Sequence, residues 1–223
     1  MAIRILIADD QAMLRGGFRM MLETEPDFEI VGEAQDGVEA IALAERRRAD
    51  VVLMDIRMPG MDGLEATRRL AGPGVANPAK VIVITTFDVD DYVFSALRAG
   101  ASGFLLKDAQ PEVLIDAIRR VHEGHALIAP EVTRRLITEF AAVSPDPSER
   151  ARLEVLSGRE RDVLLLMARG RTNAQIGSDL FVEETTIKSH VSSVLSKLGV
   201  TSRVQAVIAA YETGLVNPGA RPS

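Results

Sequence analysis

The chain has 223 residues, which is long for one average domain and sufficient for two small ones. Its composition, with 47% hydrophobic and 26% charged residues, is that of a globular protein and excludes a largely disordered chain. The sequence contains no cysteine, so disulfides and thiolate metal sites are excluded, and its net charge of −6 argues against nucleic-acid binding by the chain as a whole.

The charge is distributed unevenly along the chain. Residues 151–223 hold nine Lys and Arg residues against seven Asp and Glu residues, so this part is mildly basic and permits contact with phosphates. The N-terminus is charged from Arg4 onward and has no apolar region followed by a small-residue cleavage site. No apolar run approaches the length that spans a membrane. We therefore expect a cytoplasmic protein with no membrane partner.

Short apolar runs alternate with amphipathic segments through the first half of the chain. The predicted strands are IRILIADD, FEIVGEA, VVLMD, KVIVITT and GFLLKD, and the helical segments that follow them are residues 12–24, 37–47, 62–70, 90–99 and 111–123. Near-continuous apolar strands are typical of a parallel sheet that is covered on both faces. The pattern predicts an α/β domain in which a doubly wound parallel sheet is built from five βα units, (βα)5.

The alternation stops after Gly124, and the second half of the chain shows only helical patterns. The segment SPDPSERAR carries two prolines, two serines and several charges, which indicates an exposed linker. Ser157 and Glu160 predict a capping box at the first of four short helices, and Asn173 is the predicted cap of the second. We expect an α/β domain at 1–125, a linker with a helical segment at 126–155 and an all-α domain at 156–218.

Polar residues stand at the ends of four predicted strands: Asp9 and Asp10, Asp55, Thr85, and Lys107. The carboxyl ends of parallel strands meet at one edge of a sheet, so these groups should converge there. Three crowded carboxylates repel one another, and oxygen ligands without His or Cys favour Mg²⁺. Together with one ammonium and Mg²⁺ the charges sum to zero, which lets a phosphodonor approach Asp55. Asp55 would then form an aspartyl phosphate, with Lys107 and Thr85 contacting the phosphoryl oxygens.

The motifs LMDIRMPGMDG, VITT and GFLLKD carry a resemblance to a known family. With them, residues 1 to about 125 resemble the receiver domain of two-component response regulators. The resemblance implies the strand order 2-1-3-4-5, phosphorylation of Asp55 by a histidine kinase, and a metal ligand at the main-chain carbonyl of Arg57. It also implies a switch role for Phe104, three residues before Lys107. Asp108 stands where many receivers have proline, as in the subfamily with a C-terminal four-helix DNA-binding domain.

The third helical segment of the second half, EETTIKSHVSSVLSKLG, has two contrasting faces. Its apolar residues form one stripe: Ile187, Val191, Val194, Leu195 and Leu198. The opposite face carries Thr185, Ser189, Ser192 and Ser196, with Lys188 and His190 at its edges. Small polar side chains let a helix enter a DNA major groove, although on periodicity alone a generic solvated face fits equally well. The preceding NAQIGSDLFVEE favours a helix-turn-helix.

Residues 156 to about 215 are similar to the LuxR-type, or NarL/FixJ, DNA-binding domain. The resemblance is carried by LSGRERDVLLLMARGRTNAQIGSDLFVEETTIKSHVSSVLSKLGV. It implies that one set of side chains faces bases, namely Lys188, Ser189 and Ser192. It implies that a second set lies nearer phosphates, namely Arg171, Thr172, Asn173 and His190. The last helix, 202–213, is implied in dimerisation. Glu183 departs from the family pattern, because a serine usually caps the recognition helix there.

We therefore expect a transcriptional response regulator rather than an enzyme. Its partners would be a sensor histidine kinase, promoter DNA and a second copy of the chain. One alternative is an aspartate-nucleophile phosphatase, but such enzymes place a second acid two residues after the nucleophile, and this chain has Arg57 there. A regulator that is active without phosphorylation is the other alternative that the sequence leaves open.

Overall fold

The computed structural model describes residues 2–86, 95–124, 127–128 and 151–216. By its internal contacts the chain divides into two compact units, Met1–Ala129 and Pro130–Ser223. None of the helices in the described ranges combines the length and the apolar character that a bilayer crossing requires. The predicted helix at 90–99 falls partly outside these ranges, and its described residues 95–98 are helical. The helical segment predicted in the linker lies outside the described residues.

The N-terminal unit is a parallel sheet flanked by helices. Its strands are β1 (Ile3–Ala8), β2 (Phe28–Ala34), β3 (Val51–Asp55), β4 (Lys80–Thr85), β5 (Gly103–Leu106) and β6 (Leu127–Ile128). Its helices are α1 (Ala12–Leu22), α2 (Gly37–Arg47), α3 (Gly63–Ala71) and α4 (Pro111–His122). The strands lie in the order β2-β1-β3-β4-β5-β6. This confirms the predicted order 2-1-3-4-5, while β6, which pairs with β5 in parallel, was not predicted.

The strands are buried on both faces, as their continuous apolar runs predict. All five residues of β3 are buried. On one face, Ile5 and Leu53 pack in a cluster with Leu22 of α1 and with Leu114 and Ile118 of α4. Helices α2 and α3 contact the strands but add no described residue to that cluster, so they cover the other face. This arrangement leaves the carboxyl ends of the strands open for a site.

A glycine brings α3 directly against the end of β3. A Cβ atom on Gly63 would lie only 1.8 Å from the main-chain oxygen of Asp55, so a side chain at this position would force the two elements apart. Asp62 caps the same helix, because its carboxylate accepts the main-chain N–H of Glu65 at 2.8 Å. The turn after Asp55 is thereby held close to the strand end.

The C-terminal unit is entirely helical in its described residues. A short 3-10 turn (Ala151–Leu153) precedes α5 (Gly158–Ala168), α6 (Asn173–Leu180), α7 (Glu184–Leu198) and α8 (Arg203–Glu212). The helices enclose one apolar core, whose fully buried members include Val163, Leu164, Ile176, Ile187 and Val194. Helices α6 and α7 follow each other as the predicted helix-turn-helix.

The helix caps agree with the prediction in one case and differ in another. Ser157 and Glu160 form the predicted capping box at the start of α5. At α6 the cap is Thr172 and not Asn173, so that prediction was wrong. The physical reason is that the side-chain oxygen of Gln175, three residues after Thr172, accepts the main-chain N–H of Thr172 and completes a capping box there. Asn173 becomes the first helical residue.

Candidate phosphorylation site and nucleic-acid interface

Three aspartates and a lysine meet at the carboxyl edge of the sheet. One carboxylate oxygen from each of Asp9, Asp10 and Asp55 lies within 4.8 Å of the other two. Asp9 and Asp55 are buried, whereas Asp10 is exposed. Lys107 bridges the two buried carboxylates, with its Nζ atom 2.7 Å from Asp9 Oδ2 and 2.9 Å from Asp55 Oδ2. The structure thus brings together residues that the sequence places up to 98 positions apart.

The pocket holds more negative than positive charge. Burial raises the pKa of Asp55, and the charge of Asp9 raises it further, while Lys107 opposes both. Burial by itself would lower the pKa of Lys107, but its hydrogen bonds to Asp9 and Asp55 outweigh this and raise the pKa. The ammonium therefore stays charged, and one positive charge faces three carboxylates. A divalent cation would remove the imbalance.

The donor set fits a magnesium ion. Carboxylate oxygens without nitrogen or sulfur ligands suit a hard divalent cation, and Mg²⁺ is bound through one or two carboxylates with several waters retained. Asp10 and Arg57 line an open cleft of about 460 Å³, together with Ile56, Met58, Pro59 and Asp62. The main-chain amide of Arg57 also hydrogen-bonds the Asp55 carboxylate and favours its charged form. Solvent and a small donor can therefore reach the acidic edge from this side.

Thr85 and Phe104 lie on two adjacent strands of the sheet, β4 and β5. Thr85 is the last residue of β4 and is buried, and its main-chain oxygen accepts the N–H of Lys107 at 2.7 Å. Phe104 is 1% exposed and pairs in register with Val83. Because residues two apart on a strand share a face, Thr85 and Phe104 point to the same side of the sheet. The two side chains therefore lie on one face of the sheet, on adjacent strands and two register positions apart.

Helix α7 has the two faces that its sequence predicts. Ile187, Val194 and Leu198 are buried in the core of the C-terminal unit. The four hydroxyl residues of the other face are exposed, namely Thr185, Ser189, Ser192 and Ser196. Lys188 is exposed with its Nζ atom 3.2 Å from Glu184 Oε1, and His190 is partly buried. Glu183 occupies the cap position and makes no side-chain cap hydrogen bond. The surface of α7 is thus uncharged at its centre and flanked by opposite charges.

Of the three residues at the start of α6, two are exposed and one is buried. Arg171 and Thr172 are exposed, and Arg171 pairs with Asp179 at 3.3 Å. Asn173 is buried, and its Oδ1 atom accepts a hydrogen bond from Arg203 at 2.9 Å. Arg203 was missed at the sequence level, because nothing in the spacing of α8 shows that its side chain reaches back to α6. The side chain of Asn173 therefore faces the interior, while Arg171 and Thr172 face solvent.

Glu160 links α5 to α7. Its carboxylate accepts the main-chain N–H of Ser157, the hydroxyl of Ser193 at 2.6 Å and the ammonium of Lys197 at 2.8 Å. The bonds from Lys197, Ser193 and Ser157, in that order, lower the pKa of Glu160 to about 2. The capping pattern revealed Glu160, but its partners on α7 lie too far along the chain for any local pattern to show. The contact fixes α7 against the rest of the unit.

Comparison with known proteins identifies both parts of the chain. A family model described as the response regulator receiver domain matches residues 5–119, more than half of the chain. The chain belongs to the response regulators. A second model, described as bacterial regulatory proteins of the luxR family, matches residues 154–210. The response regulator therefore joins a receiver to a LuxR-type DNA-binding domain, which confirms the predicted family and fold class.

Individual relatives agree with this assignment over nearly the whole chain. The response regulator is 41% identical over 214 residues to the uncharacterized transcriptional regulatory protein YxjL of Bacillus subtilis (strain 168), covering 96% of this chain and 97% of the relative. Among solved structures, the response regulator ChrA of a heme-sensing two-component system is 35% identical, with a TM-score of 0.53. The match covers 96% of this chain and 99% of ChrA. The RcsB chain in a structure of two RcsB dimers bound to two parallel DNAs is 26% identical, with a TM-score of 0.56. The match covers 95% of this chain and 99% of the RcsB chain.

Proposed function

We propose that this response regulator accepts a phosphoryl group on Asp55 from a sensor histidine kinase, then dimerises and binds promoter DNA to control transcription. The observation that carries the proposal is the bridge from Lys107 to both Asp9 and Asp55, beside the exposed Asp10 and an open cleft. An ammonium that is already bound to the acceptor carboxylate can move to a phosphoryl oxygen with a small displacement. No catalytic turnover on a separate substrate is part of this function.

The acceptor chemistry follows from the residues of the pocket. Asp9, Asp10, Asp55 and the main-chain carbonyl of Arg57 would hold Mg²⁺, which when bound offsets charge on the phosphoryl oxygens. An Asp55 oxygen attacks phosphorus, a new O–P bond forms, and the bond to the leaving group breaks with its electron pair going to that group. The Lys107 ammonium then pairs with one phosphoryl oxygen.

The switch depends on Thr85 and Phe104. In the proposal the Thr85 hydroxyl turns to donate to a phosphoryl oxygen, and this changes the space beside Phe104. The support is that both side chains lie on the same face of neighbouring strands. Phe104 is fully buried, so a change in its packing must alter the adjacent receiver surface. That change would favour the dimer.

The DNA contacts are proposed for the exposed face of α7 and for the residues before α6. Lys188, Ser189 and Ser192 would face bases. His190, Arg171 and Thr172 would lie near phosphates, and Asn173, being buried, would hold that segment in place through Arg203. With so few cations, one copy should bind weakly and lose affinity quickly with salt. Two copies joined in a dimer gain effective concentration, which is worth about 10² to 10⁴ in affinity.

The proposal also assigns the parts of the chain. Residues 1–125 form the receiver, 126–155 the linker and 156–218 the DNA-binding domain, and α8 contributes to the dimer. The support for these limits is that the family matches end at 119 and begin at 154. We propose a cytoplasmic location, because promoter DNA is the proposed target. The RcsB dimers on DNA are the supporting precedent for a dimeric complex.

The full-length protein and Asp55→Asn provide the test. A DNA ligand is first selected from a random duplex pool by the wild type in the presence of Mg²⁺ and acetyl phosphate. We expect an intact-mass increase of one phosphoryl group, a shift from monomer to dimer in light scattering and a stronger footprint for the wild type alone. Equal footprints for both proteins, or release of free phosphate from added phosphoesters as the main outcome, would contradict the proposal.

A further inference from the structure

Arg15 of α1 contacts the main chain of the acidic pocket and not its carboxylates. Its Nη1 atom donates to the main-chain oxygen of Asp9 at 2.7 Å, and its side chain is only 16% exposed. That oxygen belongs to the peptide group that joins Asp9 to Asp10. A hydrogen bond from a held guanidinium to this carbonyl fixes the plane of the peptide. The direction in which Asp10 leaves Asp9 is thereby fixed as well.

Asp9 is held at several points, whereas Asp10 is exposed. The Asp9 carboxylate accepts the main-chain N–H of Gln11 at 2.8 Å on Oδ1 and the Lys107 ammonium on Oδ2. The main-chain N–H of Asp9 donates to the oxygen of Ala34 at 3.1 Å. The carboxylate of Asp10 protrudes into solvent, so its position depends on the peptide that Arg15 holds. Asp10 also lines the open cleft.

The charge of Arg15 is compensated nearby, so its effect on the pocket is mainly geometric. Arg15 Nε lies 3.3 Å from Glu33 Oε2, and Arg19 Nε lies 2.6 Å from the other oxygen of the same carboxylate. Arg19, and to a smaller degree Arg15, lowers the pKa of Glu33, which keeps Glu33 charged. Arg19 in turn pairs with Glu23 at 2.7 Å. The two arginines and two glutamates sum to zero.

We propose that Arg15 is a positioning residue for the magnesium site, which sets the angle between the Asp9 and Asp10 carboxylates. The inference rests on the proposed phosphorylation function and adds to it a residue that touches neither metal nor phosphoryl group. Without the Arg15 hydrogen bond the Asp9–Asp10 peptide can rotate, and the Asp10 carboxylate must be ordered relative to the held Asp9 when the metal binds. Loss of a group that orients metal ligands typically lowers metal affinity by about 10- to 100-fold.

The test compares Arg15→Met with Arg19→Met in the full chain. Both changes keep an unbranched stem on α1 and both remove an ion pair with Glu33, but only Arg15 contacts the Asp9 carbonyl. Calorimetric titration with Mg²⁺ alone should show a loss of about tenfold in affinity for Arg15→Met and less than about twofold for Arg19→Met. Arg15→Lys, which retains a donor, should recover part of the loss.

Phosphorylation kinetics with acetyl phosphate add a second readout. Arg15→Met should need more Mg²⁺ for half-maximal rate and should approach the wild-type rate at saturating Mg²⁺, because only the geometry of the empty site is impaired. Equal Mg²⁺ affinities of the two Met variants would overturn the inference and leave the proposed function standing. A wild type without Mg²⁺ uptake or phosphoryl adduct would overturn both. If Arg15→Met does not fold, Arg15→Leu against Arg19→Leu decides by the same affinity criterion, because leucine also lacks a donor.

Discussion

In the proposed function the receiver pocket accepts a phosphoryl group and the exposed face of α7 contacts DNA, yet the two regions are built in opposite ways. In the pocket two buried carboxylates share one ammonium at 2.7 and 2.9 Å, and all three side chains are less than a tenth exposed. On α7 the central side chains are exposed hydroxyls, and Lys188 pairs with Glu184 where both are about half exposed. The pocket concentrates buried charges, whereas the face of α7 carries a few charges that are exposed to solvent.

The difference follows from what solvent does to a charge. In the pocket the loss of one partner leaves an uncompensated buried charge, which typically costs several kcal/mol. An exposed ion pair contributes only about 0 to 1 kcal/mol, because water screens it. A buried site can therefore respond strongly to one added phosphoryl group, whereas an exposed DNA face must gain affinity from many small contacts and a second copy. Substitutions in the two regions should differ in size accordingly.

The largest effect is expected for Lys107→Met. Without Mg²⁺ the receiver should lose about 3 kcal/mol of unfolding free energy, because Asp9 and Asp55 then face each other unpaired. The same change removes the cation that competes with a metal, so Mg²⁺ should bind more tightly and restore more stability than it adds to the wild type. Calorimetric unfolding temperatures at increasing Mg²⁺ concentration measure both effects.

Lys80→Met is the matched control for this experiment. Lys80 is another partly buried lysine of the receiver, and its ammonium donates to the main-chain oxygen of His122 rather than to a pocket carboxylate. Its loss should change the unfolding temperature by the same amount at every Mg²⁺ concentration. If Lys107→Met responds to Mg²⁺ no more strongly than the wild type does, the pocket is not short of positive charge and the comparison with α7 fails.

Glu160→Gln should have the second largest effect. Glu160 is a buried charge like Asp55, but its hydrogen bonds from Ser157, Ser193 and Lys197 leave it fully paired. The substitution weakens three charge-assisted bonds and leaves Lys197 without its anion. The C-terminal unit should lose about 2 kcal/mol of unfolding free energy. Denaturant-dependent hydrogen exchange of α7 peptides measures this unit within the full chain.

The pH dependence supplies the control for Glu160. Its pKa of about 2 in the folded protein lies below its usual 4.5, so the folded state favours the charged form. The stability from this group is complete above the usual value and is lost as the pH falls toward the folded value. The difference between wild type and Glu160→Gln should therefore be constant near neutral pH and should shrink below pH 4.5. A difference that grows on acidification would contradict the assigned charge state.

The sequence was sufficient for features that depend on local pattern. The continuous apolar runs predicted the five strands, and the bounds 37–47 and 51–55 match α2 and β3 as observed. The polar residues after the runs predicted the acidic edge, because parallel strands all end there. The strand β6 escaped prediction, since two apolar residues show no period. Thr172 was overlooked as a cap because Asn173 beside it is an equally good cap former.

Contacts across the fold were not predictable from the sequence alone. Arg15 and Arg203 both donate to main-chain oxygens outside their own helices, at Asp9 and Arg171. A long side chain can reach many such acceptors, and helix periodicity says only which side of the helix it leaves from. The bridge from Lys107 to Asp9 as well as Asp55 likewise depends on how close β1 and β3 lie at their ends. These distances are properties of the packed sheet and not of any motif.

A smaller effect is expected for Lys188→Ala, and it should appear in DNA binding rather than in stability. The exposed pair with Glu184 contributes little to folding, so the unfolding free energy should change by less than about 0.5 kcal/mol. Affinity for the selected duplex should fall by about tenfold, and discrimination against other duplexes should weaken, because Lys188 is proposed to face bases. Glu184→Gln is the opposed control and should raise affinity, because it frees Lys188 and removes an anion. Equal DNA affinities of Lys188→Ala, Glu184→Gln and the wild type would contradict the proposed contact of Lys188 with DNA.

The smallest effect concerns Glu183 at the cap of α7. Glu183 makes no side-chain cap hydrogen bond, so Glu183→Ser adds a cap worth about 0.5 to 1 kcal/mol. It also removes an anion that the helix N-terminus favours by about 0.3 to 1 kcal/mol, so the net gain in stability should be small. Glu183→Gln removes the charge without adding a good cap, and it should be slightly less stable than the wild type.

Affinity for the selected duplex separates the two contributions of Glu183. Both variants should bind DNA more tightly by the same small factor, about two- to threefold, because both remove one negative charge from the N-terminus of α7. Relative to the wild type, Glu183→Ser should be more stable and Glu183→Gln less stable, while both should gain the same DNA affinity. This separation requires an exposed position, where water screens the charge and the loss of charge does not disturb neighbouring hydrogen bonds. In the pocket the same separation should fail, since each charged group there is also the hydrogen-bond partner of the next. Affinities that follow stability on α7 would show that its charges are coupled as those of the pocket are.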